Sequence, residues 1–140
     1  MVVGGTSVRQ KKKQDEIAFG FNCLPYMIEV ETPLGVTYGI VHADVPFNDW
    51  NKAKERLYQD DTQVKNYLLW SRDRYNGAIT GNVVGVDYVV VGHTPLPEFQ
   101  KQDNVLRLDT GACFLGKYPE HDKGLCILNL FTREVVYEQN

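Results

Sequence analysis

The sequence lacks the cysteine pattern, the long apolar run and the excess of positive charge that define several protein classes. Its three cysteines, Cys23, Cys113 and Cys126, are an odd number and form no Cys-x-x-Cys pair, which argues against a disulfide framework and leaves a structural zinc site without obvious ligands. No apolar run approaches the roughly 20 residues of a membrane span, and the first residues do not resemble a signal peptide. The formal net charge of −3 argues against nucleic acid as the main partner. We therefore expect a cytoplasmic protein with no membrane or nucleic-acid partner, whose cysteines are buried thiols.

The residue pattern predicts both helices and strands within a single domain. A chain of 140 residues is long enough to bury a sizeable core, and no repeat or linker divides it. Helices are predicted where helix-forming residues follow a capping side chain, and strands where β-branched and aromatic residues lie between turn residues. The predicted helices are residues 6–19 (capped by Thr6 or Ser7), 49–57 and 61–70, and the predicted strands are residues 25–31, 36–41, 87–91, 105–108, 124–130 and 134–137. Residues 25–41 and 124–137 each indicate a hairpin, so we expect an α/β or α+β layered domain.

Two of these strands end in the same way. The strand at 36–41 runs into His42 and is followed by Asp44 and Pro46, and the strand at 87–91 runs into Gly92, His93 and Pro95. Catalytic and metal-binding groups collect where strands of a rigid sheet end, and a neutral imidazole is a common metal ligand. Each histidine alone is more often a hydrogen-bonded structural residue, but the matched pair makes a shared metal site an equal alternative. Asp44 would either orient a metal-bound imidazole through a hydrogen bond or cap the next turn.

Two further segments carry groups suited to phosphate or to a tight turn. Arg72 follows an apolar helical stretch, and a guanidinium offers a planar fork for phosphate oxygens. From the local sequence alone, an ion pair of Arg72 with Asp73 or Asp60 is the better interpretation. The segment at residues 108–114 contains Asp-Thr-Gly, which is typical of a turn that hydrogen-bonds its own backbone.

Four segments in this order resemble the later motifs of the bacteriophage-lambda type serine/threonine protein phosphatases, members of the calcineurin-like metallophosphoesterase superfamily. They are His42-Ala43-Asp44, Trp70-Ser71-Arg72-Asp73-Arg74, Gly92-His93-Thr94-Pro95 and Leu108-Asp109-Thr110-Gly111-Ala112. Each motif alone is weak, but the ordered set covers nearly the whole chain, from about residue 4 to residue 130.

The resemblance implies a fold, a cofactor and roles for particular residues. It implies part of a β-sandwich flanked by helices, with two divalent metal ions, commonly Mn²⁺, at the carboxyl ends of the strands. The resemblance also implies that a metal-activated hydroxide hydrolyses a phosphomonoester, with a phosphorylated protein or peptide as the substrate. Carried over by residue, His42 and His93 would bind the second metal, and Arg72 would hold the phosphate. The last point reverses the ion-pair interpretation.

The chain departs from the family pattern in one large respect. The earlier motifs Gly-Asp-x-His-Gly, Gly-Asp-x-x-Asp-Arg-Gly and Gly-Asn-His-Glu, which supply the first metal site and the bridging aspartate, do not occur in it. We therefore expect residues 1–140 to be the C-terminal portion of a metallophosphoesterase domain, with at most one partial metal site and little or no activity alone. Apolar surface left exposed would favour self-association.

Two alternatives stay open at this stage. Dinucleoside tetraphosphatases of the same superfamily have similar Gly-His-Thr-Pro and Leu-Asp-Thr-Gly segments. A non-catalytic binding fragment that retains the phosphatase scaffold also fits, because the metal-binding aspartates are absent.

Overall fold

The computed structural model describes residues 8–139, which form three helices and seven strands. The helices are α1 (Val8–Asn22), α2 (Trp50–Tyr58) and α3 (Thr62–Trp70). The strands are β1 (Met27–Glu31), β2 (Thr37–Val41), β3 (Tyr88–Val91), β4 (Gln100–Gln102), β5 (Val105–Arg107), β6 (Leu125–Leu128) and β7 (Val135–Glu138). The predicted α+β class is confirmed, whereas the cap predicted at Thr6 or Ser7 lies outside the described residues.

The main sheet has five strands in the order β1-β2-β3-β5-β4. Its centre is parallel, since β3 pairs in parallel with both β2 and β5, and antiparallel partners lie at each edge. The two predicted hairpins, β1–β2 and β6–β7, are both present. The sequence did not predict β4, because Gln100, Lys101 and Gln102 are polar and have none of the residues that favour strands. Such residues suit a short edge strand that is exposed to water.

Helices α2 and α3 cover one face of the main sheet. Trp50 and Leu68 are fully buried there against Val89 and its neighbours on the sheet. Trp50 lies on Gly39, where a Cβ atom would come within 2.5 Å of the indole ring, so only glycine at this position allows the ring to pack so closely. This packing fixes the start of α2 relative to β2.

The β6–β7 hairpin region covers the opposite face. Tyr38, Val90 and Leu106 alternate along their strands with the residues that face the helices, and Leu128 and Leu130 pack against them. The Tyr38 hydroxyl donates a hydrogen bond to the Leu130 carbonyl oxygen at 2.9 Å. The result is a sheet packed on a sheet with helices outside, which agrees with part of a β-sandwich flanked by helices.

The helix caps predicted at the starts of α2 and α3 are present. Asp49 accepts a hydrogen bond from the Lys52 amide, and Asp61 accepts from the amides of Gln63 and Val64.

The prediction that all three cysteines are buried is wrong. Cys126 is buried, but Cys23 and Cys113 are exposed, because they lie at the end of α1 and in a short 3₁₀ turn rather than in the core. Among the helices of residues 8–139, none has the length and apolar character needed to cross a bilayer.

Candidate active site

The topology places the ends of β2 and β3 side by side. Ile40 pairs with Val90 in a parallel register, so both strands end at the same edge of the sheet. The Gly92 amide then donates a hydrogen bond to the His42 carbonyl oxygen at 2.9 Å, which joins the two loops that follow. As a result, His42 Nε2 and His93 Nδ1 lie 3.1 Å apart. The structure thus brings together the two histidines that the sequence analysis singled out.

His93 is held in an unusual conformation. Its φ of 70° lies in the left-handed region, which is uncommon for a residue other than glycine and is concentrated at functional sites. The ring meets the edge of Trp70, with centroids 5.6 Å apart, and its Nε2 atom is buried with no hydrogen-bond partner among the described residues. Burial lowers the pKa of His93, and the nearby Arg72 and His42 lower it further. These surroundings favour a neutral imidazole with an available nitrogen lone pair.

The two imidazoles suit a transition-metal ion but form an incomplete ligand set. Nitrogen atoms that each lie about 2.1 Å from one ion are about 3.0 to 3.4 Å apart, which includes the His42–His93 separation. Within residues 8–139, however, no group of three or more His, Cys, Asp or Glu side chains is arranged to hold a metal. The spacing of the two nitrogen atoms therefore suits a transition-metal ion, and oxygen ligands would have to join them for Mn²⁺.

Arg72 lies in the turn that follows α3, at the same edge of the sheet. Its side chain is exposed, and it borders a small cavity together with Ser71, Gly92 and Thr94. The ion pairs formed among residues 8–139 do not include Arg72, and Asp60 pairs with Lys65 instead. The local alternative of an Arg72 ion pair is therefore not observed, and its guanidinium is open to an incoming anion.

A buried ion pair between Arg74 and Asp44 holds together the loop that contains His42 and the turn that contains Arg72. Arg74 and Asp44 are each 3% exposed in their side chains, and Arg74 Nε donates to Asp44 Oδ1 at 3.2 Å. The guanidinium also donates to the Gly81 carbonyl oxygen at 2.9 Å and to the Asn48 side chain. Since Asp44 follows His42 by two residues and Arg74 follows Arg72 by two, this pair ties the histidine loop to the arginine turn.

These contacts bear on the role predicted for Asp44. Its Oδ1 atom also accepts a hydrogen bond from the Val45 amide at 2.7 Å, so its contacts are with Arg74 and the local backbone. The 3₁₀ turn that follows, Pro46–Asn48, has no side-chain cap, so turn capping by Asp44 is not observed, and orientation of a metal-bound imidazole stays a prediction. No local pattern in the sequence indicated a role for Arg74 or Asn48. Arg74 stood in the motif with Arg72, but nothing local indicated that it would be buried against a residue so far along the chain.

The Asp-Thr-Gly segment forms a turn that hydrogen-bonds its own backbone, as the sequence predicts. Asp109 Oδ1 accepts from the Gly111 amide at 2.9 Å, and the buried Thr110 hydroxyl donates to the Gly124 carbonyl oxygen at 2.6 Å. Gly111 has a φ of 68°, and a Cβ atom there would come within 2.7 Å of the His121 ring. The His121 ring therefore packs over this turn.

An apolar surface begins directly beside His42. We call it the apolar face; it is formed by Phe21, Leu24, Tyr26, Ile28 and Trp70, all of which are exposed, and it borders a groove that His42 also lines. Trp70 alone is 66% exposed. Contiguous apolar surface of this kind commonly marks a site of protein association.

Known proteins resemble this chain over most of its length. It is 34% identical over 111 residues to serine/threonine-protein phosphatase 2 of Salmonella typhimurium (strain LT2), a match that covers 76% of this chain and 47% of the relative. It is 28% identical over 106 residues to serine/threonine-protein phosphatase 2 of Escherichia coli (strain K12), covering 74% and 45%. It is 38% identical over 96 residues to serine/threonine-protein phosphatase 1 of the same Salmonella strain, covering 67% and 39%. No family model matches the chain, and it spans less than half the length of these curated relatives.

Proposed function

The chain is a relative of the bacterial serine/threonine protein phosphatases, and we propose that it carries the phosphate-binding part and half of one metal site of a metal-dependent phosphatase domain. The observation that carries the proposal is the 3.1 Å approach of His42 Nε2 to His93 Nδ1 beside an exposed Arg72 that forms no ion pair among residues 8–139. The substrate is a phosphorylated serine or threonine in a protein or peptide.

The residues of this chain have distinct tasks in the proposal. His42 and His93 would hold a divalent ion, with Mn²⁺ as the expected one, and the lowered pKa of His93 keeps its ring neutral for that purpose. Arg72 binds and orients the phosphoryl oxygens, because its guanidinium is exposed and fork-shaped. The chemistry that such an ion supplies when bound is Lewis-acid polarisation of the phosphoryl group.

The same geometry argues that the chain alone has little activity. Two imidazoles leave most positions around an ion without a protein ligand, and Mn²⁺ prefers oxygen ligands that residues 8–139 do not place beside them. Without these ligands the ion binds weakly, and hydrolysis is slow. The dinucleoside tetraphosphatase alternative has no support from the three relatives described above, which are all named protein phosphatases.

The experiment is a Mn²⁺ titration followed by electron paramagnetic resonance, combined with hydrolysis of p-nitrophenyl phosphate and of a phosphoserine peptide. It compares the wild-type chain with His42→Ala, His93→Ala and, as a matched control, His121→Ala. His121 packs over the Gly111 turn and lies outside the proposed site. Weak Mn²⁺ binding is expected in the wild type and in the control, with binding lost in the other two variants.

Two results would contradict the proposal. Equal Mn²⁺ binding by the wild type and by both site variants would remove the histidine pair as a metal site. Hydrolysis of both substrates at a rate unaffected by His93→Ala would show that any activity arises elsewhere.

A further inference from the structure

A second concave surface lies between α2 and α3. We call it the α2–α3 groove; its walls are Pro46, Phe47, Lys52, Arg56, Val64 and Tyr67. Lys52 and Arg56 are one turn apart on α2, and Val64 and Tyr67 are three residues apart on α3, so each helix presents one face to the same space. The open volume is about 580 Å³, within the usual range for ligand sites.

The groove carries a net positive charge. Arg56 pairs with Asp61, Nε to Oδ2 at 2.8 Å, so these two charges offset one another. Lys52 forms no ion pair within the part of the chain that the structure describes, and its Nζ atom lies 4.6 Å from the centre of the Phe47 ring. A cation held over an exposed aromatic ring, above an apolar floor, is complementary to a chain that combines carboxylates with apolar side chains.

The rim of the groove is fixed by the residues that support the active site. Phe47 is 49% exposed and has a φ of 67°, and Asn48 follows with a φ of 51°. The Asn48 side chain accepts from Arg74 and donates to the Thr80 carbonyl oxygen at 2.8 Å, which holds this turn in place. The buried Arg74 therefore sets the position of Phe47 as well as that of the Arg72 turn.

The groove also opens close to Arg72. Tyr67 lines the groove, and its carbonyl oxygen accepts from the Ser71 amide at 3.1 Å at the end of α3. Three residues of helix from Tyr67 to Trp70 rise roughly 4.5 Å, and the next two residues, which lie beyond α3, add at most about 3.5 Å each. Tyr67 and Arg72 therefore lie within roughly 12 Å of each other, and an extended peptide, at about 3.3 Å per residue, covers that distance in three to four residues.

We propose that the α2–α3 groove binds acidic residues that flank the phosphorylated residue of a peptide substrate, two to four positions from it, with Lys52 as the main contact. This inference rests on the proposed function, because it places the phosphorylated residue at Arg72. It adds a preference for acidic neighbours that the histidine pair and Arg72 do not by themselves provide.

The test measures fluorescence anisotropy of fluorescein-labelled peptides with the metal-free chain. One phosphoserine peptide carries glutamates two to four positions away on both sides, a second carries lysines there, and a third is the acidic peptide without phosphate. The variants are Lys52→Ala, Lys52→Glu and Arg72→Ala. Lys13→Glu, on the exposed helix α1, is the control with the same change of net charge as Lys52→Glu.

The wild type is expected to prefer the acidic phosphopeptide to the basic one by about fivefold or more at low salt. Lys52→Ala should reduce this preference and Lys52→Glu should remove it, whereas Lys13→Glu should leave it unchanged. The unphosphorylated acidic peptide should respond to the Lys52 variants but not to Arg72→Ala.

The outcomes separate this inference from the proposed function. An unchanged preference in Lys52→Glu, with binding still weakened by Arg72→Ala, would overturn the groove and leave the phosphate site intact. Dependence on Lys52 with no effect of Arg72→Ala would support the groove and remove the phosphate role of Arg72. An equal loss in Lys13→Glu, or tighter binding of single-stranded DNA of equal charge, would overturn the groove as a peptide site.

Discussion

Replacement of Arg74 by methionine is expected to cost the chain much of its stability. The substitution keeps a long side chain but removes the hydrogen bonds to Asp44, Gly81 and Asn48. It also leaves the carboxylate of Asp44, which is 3% exposed, buried without its cation. Removal of one partner of a buried ion pair typically costs about 3 to 5 kcal/mol, because the remaining charge cannot regain water. Since whole domains are stable by about 5 to 15 kcal/mol, this loss is a large fraction of the total.

The assay is urea unfolding followed by tryptophan fluorescence, because Trp50 is fully buried and reports on the core directly. Arg72→Met is the matched control, because it makes the same chemical change two residues away, at an exposed side chain with no ion pair among the described residues. It should alter the unfolding free energy by less than about 0.5 kcal/mol. A cost below about 1 kcal/mol for Arg74→Met, or similar costs for both variants, would refute the reasoning.

Three further predictions concern the core, a buried phenol and the apolar face. Gly39→Ala should destabilise the chain by about 1 to 3 kcal/mol, since the new methyl group would overlap the Trp50 ring; unchanged thermal unfolding would contradict this packing. Burial raises the pKa of Tyr67 to about 12, so at a pH between about 10 and 12 the folded state keeps a proton that the unfolded state has lost. The stability that this phenol contributes is therefore fully present below pH 10 and is lost as the pH rises to about 12. Tyr67→Phe should therefore lose less stability than the wild type between pH 10 and pH 12. Because the buried hydroxyl has no partner among the described residues, the variant should be as stable as the wild type at pH 7, or more stable. A steeper loss of stability at alkaline pH in the variant would contradict this prediction. The exposed apolar face should drive self-association, so light scattering coupled to size exclusion should show a dimer or a larger species. The double substitution Trp70→Gln and Phe21→Ser should convert that species to a monomer. A wild-type chain that is monomeric at tens of micromolar would contradict this prediction.

Much of the local structure could be predicted from the sequence. Asp49 and Asp61 begin α2 and α3 as expected, because a short acidic side chain can accept hydrogen bonds from the first amides of a helix. The strands that end at His42 and His93 were also predictable, since β-branched runs followed by a proline have few other conformations available.

Other features could not be read from local pattern. The polar strand β4 forms only because β5 offers it an edge to pair with, and its own residues give no signal. The exposure of Cys23 likewise depends on what covers the end of α1, and apolar neighbours along the chain do not decide that.

The sequence by itself determined which residues are candidates for the proposed chemistry: two imidazoles at strand ends and an arginine after a helix. Only the tertiary structure decided that they meet. His42 and His93 are 51 positions apart and come within 3.1 Å because β2 and β3 are parallel neighbours, an order of strands that no local pattern specifies. Asp44 and Arg74 are 30 positions apart, and only the packing of α3 on the sheet buries them together and turns two surface-type residues into the support of the site.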